Sequence, residues 1–478
     1  MSAEAAHVAA MPREHATAEG WWAFAAAPLL TAAVAFAWIL YGELRRVYGM
    51  TSDGWDLGYY QQLVWGISQG HGFYSSFARA NSLGIHLEPI LAVPTAVERF
   101  WPSPVVLLLF SSAALAATAP AAYLFFRAVL PAERLESQWL AFALSAPIPF
   151  WAATQEAARD FFHPENIALP LALLAAWAGV RGHRAATWSL CVLALACSEN
   201  QAYTVAVIAV FLSWYGAPAI KRHAPLILLL AGGWFLIGIG IVQQQFRDFG
   251  ERFGSYGWLA GADPLTIVSA LLRPEALLAA GVIVASMFAL PVLAPRWLLL
   301  VLPTYVVSVF SDHTSQNTLS LHHVLPLLFP LIVAGGLGAR KLLEMRSLKP
   351  AVALVAVAPA VLLGWGTGRF PPALDSQPAL YSQPLAVAQL RTATAMIPSD
   401  APVNADAGLT VWLANRQAIG EFPDTLDANS YVVIDRNSYL AASADSGVRQ
   451  KAADALQANG RSLVYDDGRF QVWSPVGD

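Results

Sequence analysis

Long apolar runs, each about 15 to 30 residues, recur from Trp21 almost to Gly366 and are separated by short polar connections. A helix rises 1.5 Å per residue, so about 20 such residues cross a hydrocarbon core of roughly 30 Å. The pattern predicts spans at about 21–41, 104–129, 137–155, 165–181 and 185–216, then 223–242, 276–293, 297–311, 321–338 and 350–367. The first run is too long for a signal-peptide core and lacks a cleavage site, so it reads as a retained span. Residues 1–20 read as a polar tail.

Basic residues orient these spans. Arg127 and Arg134, Arg181 and Arg184, Lys221 and Arg222, Arg296, and Arg340 to Lys349 mark alternate connections, which the positive-inside rule places in the cytoplasm. Arg45 and Arg46, beyond the first span, run weakly against it. Alternation holds if residues 185–216 cross twice, as two short helices meeting near Ser198-Glu199-Asn200. A break of that kind survives only where it is buried in protein or lines a cavity. The expected fold is an α-helical polytopic membrane protein of about 11 spans. Its N-terminus is cytoplasmic, and its transmembrane domain is 21–367 with a first outward loop at 42–103.

After Gly366 the pattern changes. Tyr431 to Ile434 reads as a buried strand, and Ser462–Tyr465 and Arg469–Trp473 flank the turn Asp466-Asp467-Gly468, a hairpin signal. A helix is expected from Ser446 to Asn459, stopped by Gly460. Residues 368–478 thus form a small α/β domain, extracytoplasmic by parity.

Composition supports the membrane class. The chain is 56% hydrophobic and 13% charged, where soluble domains carry about 25% charged residues. The net charge of -4 and the absence of a basic tract give no reason to expect nucleic acid. Cys191 and Cys197 both lie in an apolar run, which argues against a disulfide framework.

Ionisable groups at membrane depth are costly and usually functional or paired. Here they gather at the outer ends of spans: Asp53 and Asp56, His86 and Glu88, Glu156, Arg159, Asp160, His163 and Glu165, Glu199, Asp312, His313, His322 and His323. The inner ends carry ordinary Arg and Lys. This one-sidedness points to an outward-facing site with Asp56 as its working carboxylate. Plainer roles compete: Asp53 and Asp56 also suit helix caps, and His163-Pro164-Glu165 suits a helix start. His322 and His323, adjacent on a helix, would diverge by about 100°. A divalent metal on Asp160, His163 and Glu199 is conceivable, but the spacing is not a zinc signature, and no cofactor is assigned.

The elements Trp55-Asp56-Leu57-Gly58, Gly70-His71-Gly72-Phe73-Tyr74, His86-Leu87-Glu88-Pro89, Asp160 to Glu165 and Ser198-Glu199-Asn200 resemble those of a family of predicted bacterial multi-spanning membrane proteins of unknown function. More distantly, they resemble the GT-C class of integral-membrane glycosyltransferases. The likeness is best from Trp21 to Gly216. It departs at Phe162, an extra residue between Asp160 and His163, and at Gln61 or Gln62, where a second acid often follows. It departs again at Ser198-Glu199-Asn200, where a lysine is lost.

The resemblance implies a plasma-membrane enzyme that takes sugar from a polyprenyl-phosphate lipid and gives it to a cell-envelope acceptor, with Asp56 as general base. Asp53, His86, Glu88, Arg159, Asp160, His163, Glu165, Glu199, His313 and His322 would bind substrate. Arg79, Arg159, His163, Arg247, Arg252 and His313 are candidate cations for the departing phosphate. The chain has no P-loop or dinucleotide glycine fingerprint, which fits a lipid-linked donor. The competing class is a transporter or flippase of a lipid-linked or small anionic substrate.

Overall fold

The computed structural model describes residues 18–51, 55–246, 254–345, 383–423, 426–437 and 454–477. The expected span at 350–367, Asp53, Arg247 and Arg252, and the first part of the expected 446–459 helix lie outside the described residues. Five helical stretches among the described residues are long and apolar enough to cross a bilayer: Ala26–Tyr48, Val105–Val129, Ala224–Phe246, Pro264–Ser286 and Thr314–Met345.

The first elements in chain order are α1 (Ala18–Tyr48), α2 (Trp55–Ser68) and α3 (Ala92–Glu98), followed by α4 (Val105–Val129), α5 (Leu135–Ser145) and α6 (Ala152–Arg159). Three more complete the central group: α7 (Pro164–Arg181), α8 (Arg184–Leu195) and α9 (Gln201–Tyr215). The run predicted as one span at 137–155 is two helices. Pro147 and Pro149 each lack an amide hydrogen, and between α5 and α6 the chain makes only a 3-10 turn over Ile148–Phe150. A similar break follows Ala224–Ile237, where residues Gly238–Val242 widen into a π-turn.

The α8–α9 pair makes the hairpin expected around Ser198. The amide of Ala217, just past α9, donates to the carbonyl of Gly179 near the end of α7, so α9 returns to the end where α7 finishes. Arg134, Arg296, Arg340 and Lys341 gather at that same end. Arg134 donates to the Leu343 carbonyl, Lys341 to that of Leu293 at 3.3 Å, and Arg296 and Arg340 lie over Trp214 and Tyr215. Arg46, the exception to the charge rule, sits at the opposite end, donating to the Arg159 carbonyl with its guanidinium 4.1 Å from the Phe161 ring. Its charge is spent on fixed partners there.

A two-residue ribbon, β1 (Tyr74–Ser75) and β2 (Ala80–Asn81), decorates the loop after α2. The C-terminal strands are β3 (Val403–Ala405), β4 (Ile419–Glu421), β5 (Tyr431–Asp435), β6 (Leu463–Asp466) and β7 (Phe470–Trp473). They form one sheet in the order β4-β3-β5-β7-β6, with parallel pairs on β3 and antiparallel pairs on β7. The helices Gln383–Thr394 and Ala407–Leu413 accompany it.

This sheet region sits directly on α2. Gln62, buried, donates to the carbonyls of Arg416 and Gln417 and accepts from Ser75 and Ser76. A β-carbon at Gly408 would fall 2.1 Å from the Met50 carbonyl oxygen, so only glycine permits this approach. α2 is thereby largely enclosed. Ten of its fourteen residues are buried: Gln61 and Gln62 meet the C-terminal region, while Tyr59 and Tyr60 bond to Ser82 and Glu88 of the first loop.

Candidate active site

At the end opposite Arg134 and Arg340, a cavity of about 470 Å³ opens between the first loop and the helix ends. It is lined by Asp56, His86, His163, Glu165, Glu199, His313, His322 and His323, with Tyr59, Tyr60, Tyr203 and Tyr256 among the aromatic groups. Residues scattered from α2 to the His322 turn thus meet in one place.

Asp56 enters from the first turn of α2, on a helix held from behind by Gln62. Its side chain is 33% exposed, against 3% for Glu199 and 5% for Asp160. Asp56 is therefore much the most open of these three acids. The His163 Nε2 atom lies 3.9 Å from Asp56 Oδ1, and Tyr60 packs edge-on to the same imidazole at 5.3 Å.

One wall is built by Asp160, His163 and His322. Phe161 takes φ +61°, a left-handed conformation uncommon for a bulky side chain. This sharp turn puts Asp160 and His163 on one side and leaves Phe161 and Phe162 in the core. His163 then precedes Pro164, which starts α7. Leu321, at φ +57°, makes the corresponding turn before His322. The His322 Nδ1 atom bonds to Asp160 Oδ2, its backbone amide reaches the same oxygen at 3.4 Å, and its ring stacks on His163 at 3.7 Å.

The other wall is the first loop against the α8–α9 turn. Glu199 accepts from His86 Nδ1 at 3.0 Å and from the Leu87 amide at 2.9 Å. Gly238 leaves room for it, since a β-carbon there would lie 2.7 Å from Glu199 Cβ. Burial opposes protonation of His86, but the nearby Glu199 and then Glu88 outweigh it and push the imidazole up to about 10. Its charge is therefore present at neutral pH. Glu88 lies behind this wall, accepting from the Tyr60 hydroxyl at 3.0 Å. Burial, partly offset by His86, pushes its carboxyl up to about 8.

Several expectations change here. Glu199 does not lie with Asp160 and His163: its two oxygens accept from His86 and the Leu87 amide, and the third side chain beside Asp160 and His163 is His322. Arg159 is turned away from the cavity onto Glu156 at 2.9 Å, with 45% of its side chain exposed. Neither Arg159 nor Arg79 is among the lining residues, and the basic side chains that do line the cavity, among the described residues, are five histidines. The Asp160–His322 contact joins residues 162 positions apart, and no local pattern announces it. Tyr203, Gln243 and Tyr256 were also missed; each lies in or beside an apolar run where a single polar group carries little signal.

The fold is similar to that of ArnT from Cupriavidus metallidurans. Against its apo structure the TM-score is 0.52 at 12% identity, covering 96% of this chain and 98% of that one. Against ArnT bound to undecaprenyl phosphate it is 0.49 at 11% identity, covering 97% and 99%. No curated protein sequence matches the chain. Residues 46–473 match the family described as "Predicted membrane protein (DUF2079)", and the chain belongs to that family.

Proposed function

We propose that the chain is an integral-membrane glycosyltransferase that moves a sugar from a polyprenyl-phosphate donor to an extracytoplasmic acceptor, with Asp56 as general base. The observation that carries this reading is the position of Asp56. It is an open carboxylate at the wall of a cavity that gathers acids and histidines at one end of a helical bundle. In the reaction, an acceptor hydroxyl oxygen attacks the anomeric carbon as the carbon–oxygen bond to the lipid phosphate breaks. The phosphate leaves with the bonding electrons, and Asp56 takes the hydroxyl proton. General-base help of this type is typically worth about 10²–10⁴-fold. His86, charged and held by Glu199, and the histidines of the opposite wall supply positive or hydrogen-bonding groups for the phosphate.

We place the cavity and the C-terminal sheet on the extracytoplasmic side, following the alternation of basic connections along the chain. The reading is tested with radiolabelled polyprenyl-phosphate sugars and an extract of envelope acceptors. Label should pass to an acceptor in wild-type membranes. Movement of intact donor across a vesicle wall, with no transfer, would replace the enzyme with a transporter. A cysteine at residues 383–400 should be labelled from outside the cell, and one near Arg346 should be protected.

A further inference from the structure

The tightest polar cluster of the cavity lies on the wall opposite His86. One ring nitrogen each of His163 and His322 and a carboxylate oxygen of Asp160 all lie within 4.8 Å of one another. His163 Nδ1 is 3.6 Å from Asp160 Oδ2, beyond hydrogen-bond reach. That nitrogen is buried and has no hydrogen-bond partner among the described residues, in a side chain only 4% exposed. An orphaned imidazole nitrogen at this depth is costly unless something else meets it.

We propose that Asp160, His163 and His322 form a divalent transition-metal site with one coordination position facing the cavity. A tetrahedral ion with bonds of about 2.0–2.1 Å spaces its ligands by about 3.3 Å. His163 Nδ1 lies 3.6 Å from Asp160 Oδ2, near that spacing, and the two stacked rings would have to turn out of their parallel arrangement to aim both nitrogens at one ion. An ion held there would satisfy the orphaned nitrogen.

Two imidazoles and one carboxylate suit zinc and its late first-row neighbours, whereas magnesium and calcium favour sites made of oxygen ligands. The surroundings fit as well. A metal-bound histidine commonly presents its other nitrogen to a carboxylate, which fixes the ring; His163 Nε2 faces Asp56 at 3.9 Å. Both histidines line the cavity while Asp160 lies behind them, so the remaining position opens toward solvent. There it would take water or an anionic oxygen. Three protein ligands with an open fourth position are the pattern of ions that meet a substrate rather than of purely structural ones.

The test uses the full-length, tag-free protein in mild detergent, stripped with EDTA and titrated with Zn²⁺ alone. One ion per chain should survive desalting, read by elemental analysis. Asp160→Asn, His163→Gln and His322→Gln should each weaken binding at least about 100-fold. Glu199→Gln, on the opposite wall, should bind as wild type does. Co²⁺ in the wild-type protein should give visible absorption bands that Zn²⁺ abolishes, a readout that needs no variant to fold. Wild-type protein that retains no stoichiometric Zn²⁺ and shows no Co²⁺ bands overturns the site. So does undiminished binding in the three variants. The result does not depend on sugar transfer, since protein inactive in every transfer assay would still hold the ion.

Discussion

The two ends of the helical bundle are built on opposite terms. At the Arg340 end, backbones approach closely and side chains fill space. A β-carbon at Gly338 would come within 1.9 Å of the Leu290 carbonyl, and cations rest on aromatic rings or cap carbonyls. At the cavity end, helices are broken at Ile148–Phe150 and at Gly238–Val242, and Phe161, Leu319 and Leu321 adopt left-handed backbone. Acids and histidines are buried there in pairs that link distant parts of the chain. Strained backbone and buried charge persist only where surrounding structure enforces them, and they cluster at functional sites. Left-handed backbone also occurs at the Arg340 end, at Phe288 and Ala289, so what sets the cavity end apart is its buried acids and histidines.

The comparison is broken most directly by a change that spares stability and removes chemistry. Asp56→Asn keeps size and shape at an open position, so the protein should fold and bind donor while transfer falls at least about 10²-fold. Asp53→Asn should mainly lower yield. A dead but well-folded Asp53→Asn beside an active Asp56→Asn would show that the wrong carboxylate has been chosen.

The converse change belongs at the other end. Gly338→Ala forces a methyl into the Leu290 carbonyl, and overpacking of this kind costs about 1–3 kcal/mol. Melting temperature in detergent should drop, while Zn²⁺ uptake and transfer rate per folded molecule stay as in wild type. If Gly338→Ala instead lowered the rate without touching stability, the division between the two ends would fail.

How much of this was legible in the sequence follows from the range of each interaction. Apolar runs gave the helices because burial in lipid is decided over about 20 neighbouring residues. The α8–α9 hairpin was readable because Glu199 interrupts an apolar run. The β6–β7 pairing follows from Asp466-Asp467-Gly468, where Gly468 takes φ +89°. The partners of the polar groups were not readable. Glu199 pairs with His86 across 113 residues and Asp160 with His322 across 162, and the three-dimensional packing alone chooses among five histidines. The covering of α2 was hidden for the same reason, since Gln62 reaches residues more than 350 positions away.

A smaller effect sharpens the comparison at the contact between α2 and the C-terminal region. Glu98 is 1% exposed, accepts from Gln61 at 2.7 Å and from the Ser103 amide at 3.3 Å, and Gln61 also reaches Asn415 at 2.7 Å. Burial pushes its carboxyl up to about 7, with Ser103, Gln61 and Asn415 pulling the other way. In the unfolded chain the same group ionises near 4.3. The folded state therefore favours the neutral acid, so its contribution is intact below about pH 4 and declines as pH rises toward about 7, then levels off. Glu98→Gln keeps the neutral shape and should not decline. The two proteins should melt alike near about pH 4, and the variant should be the more stable at about pH 8, by of order 1 kcal/mol or a few °C. A gap that does not change with pH would mean that Glu98 ionises as an ordinary surface acid, and the seam beside α2 would be open to water rather than sealed.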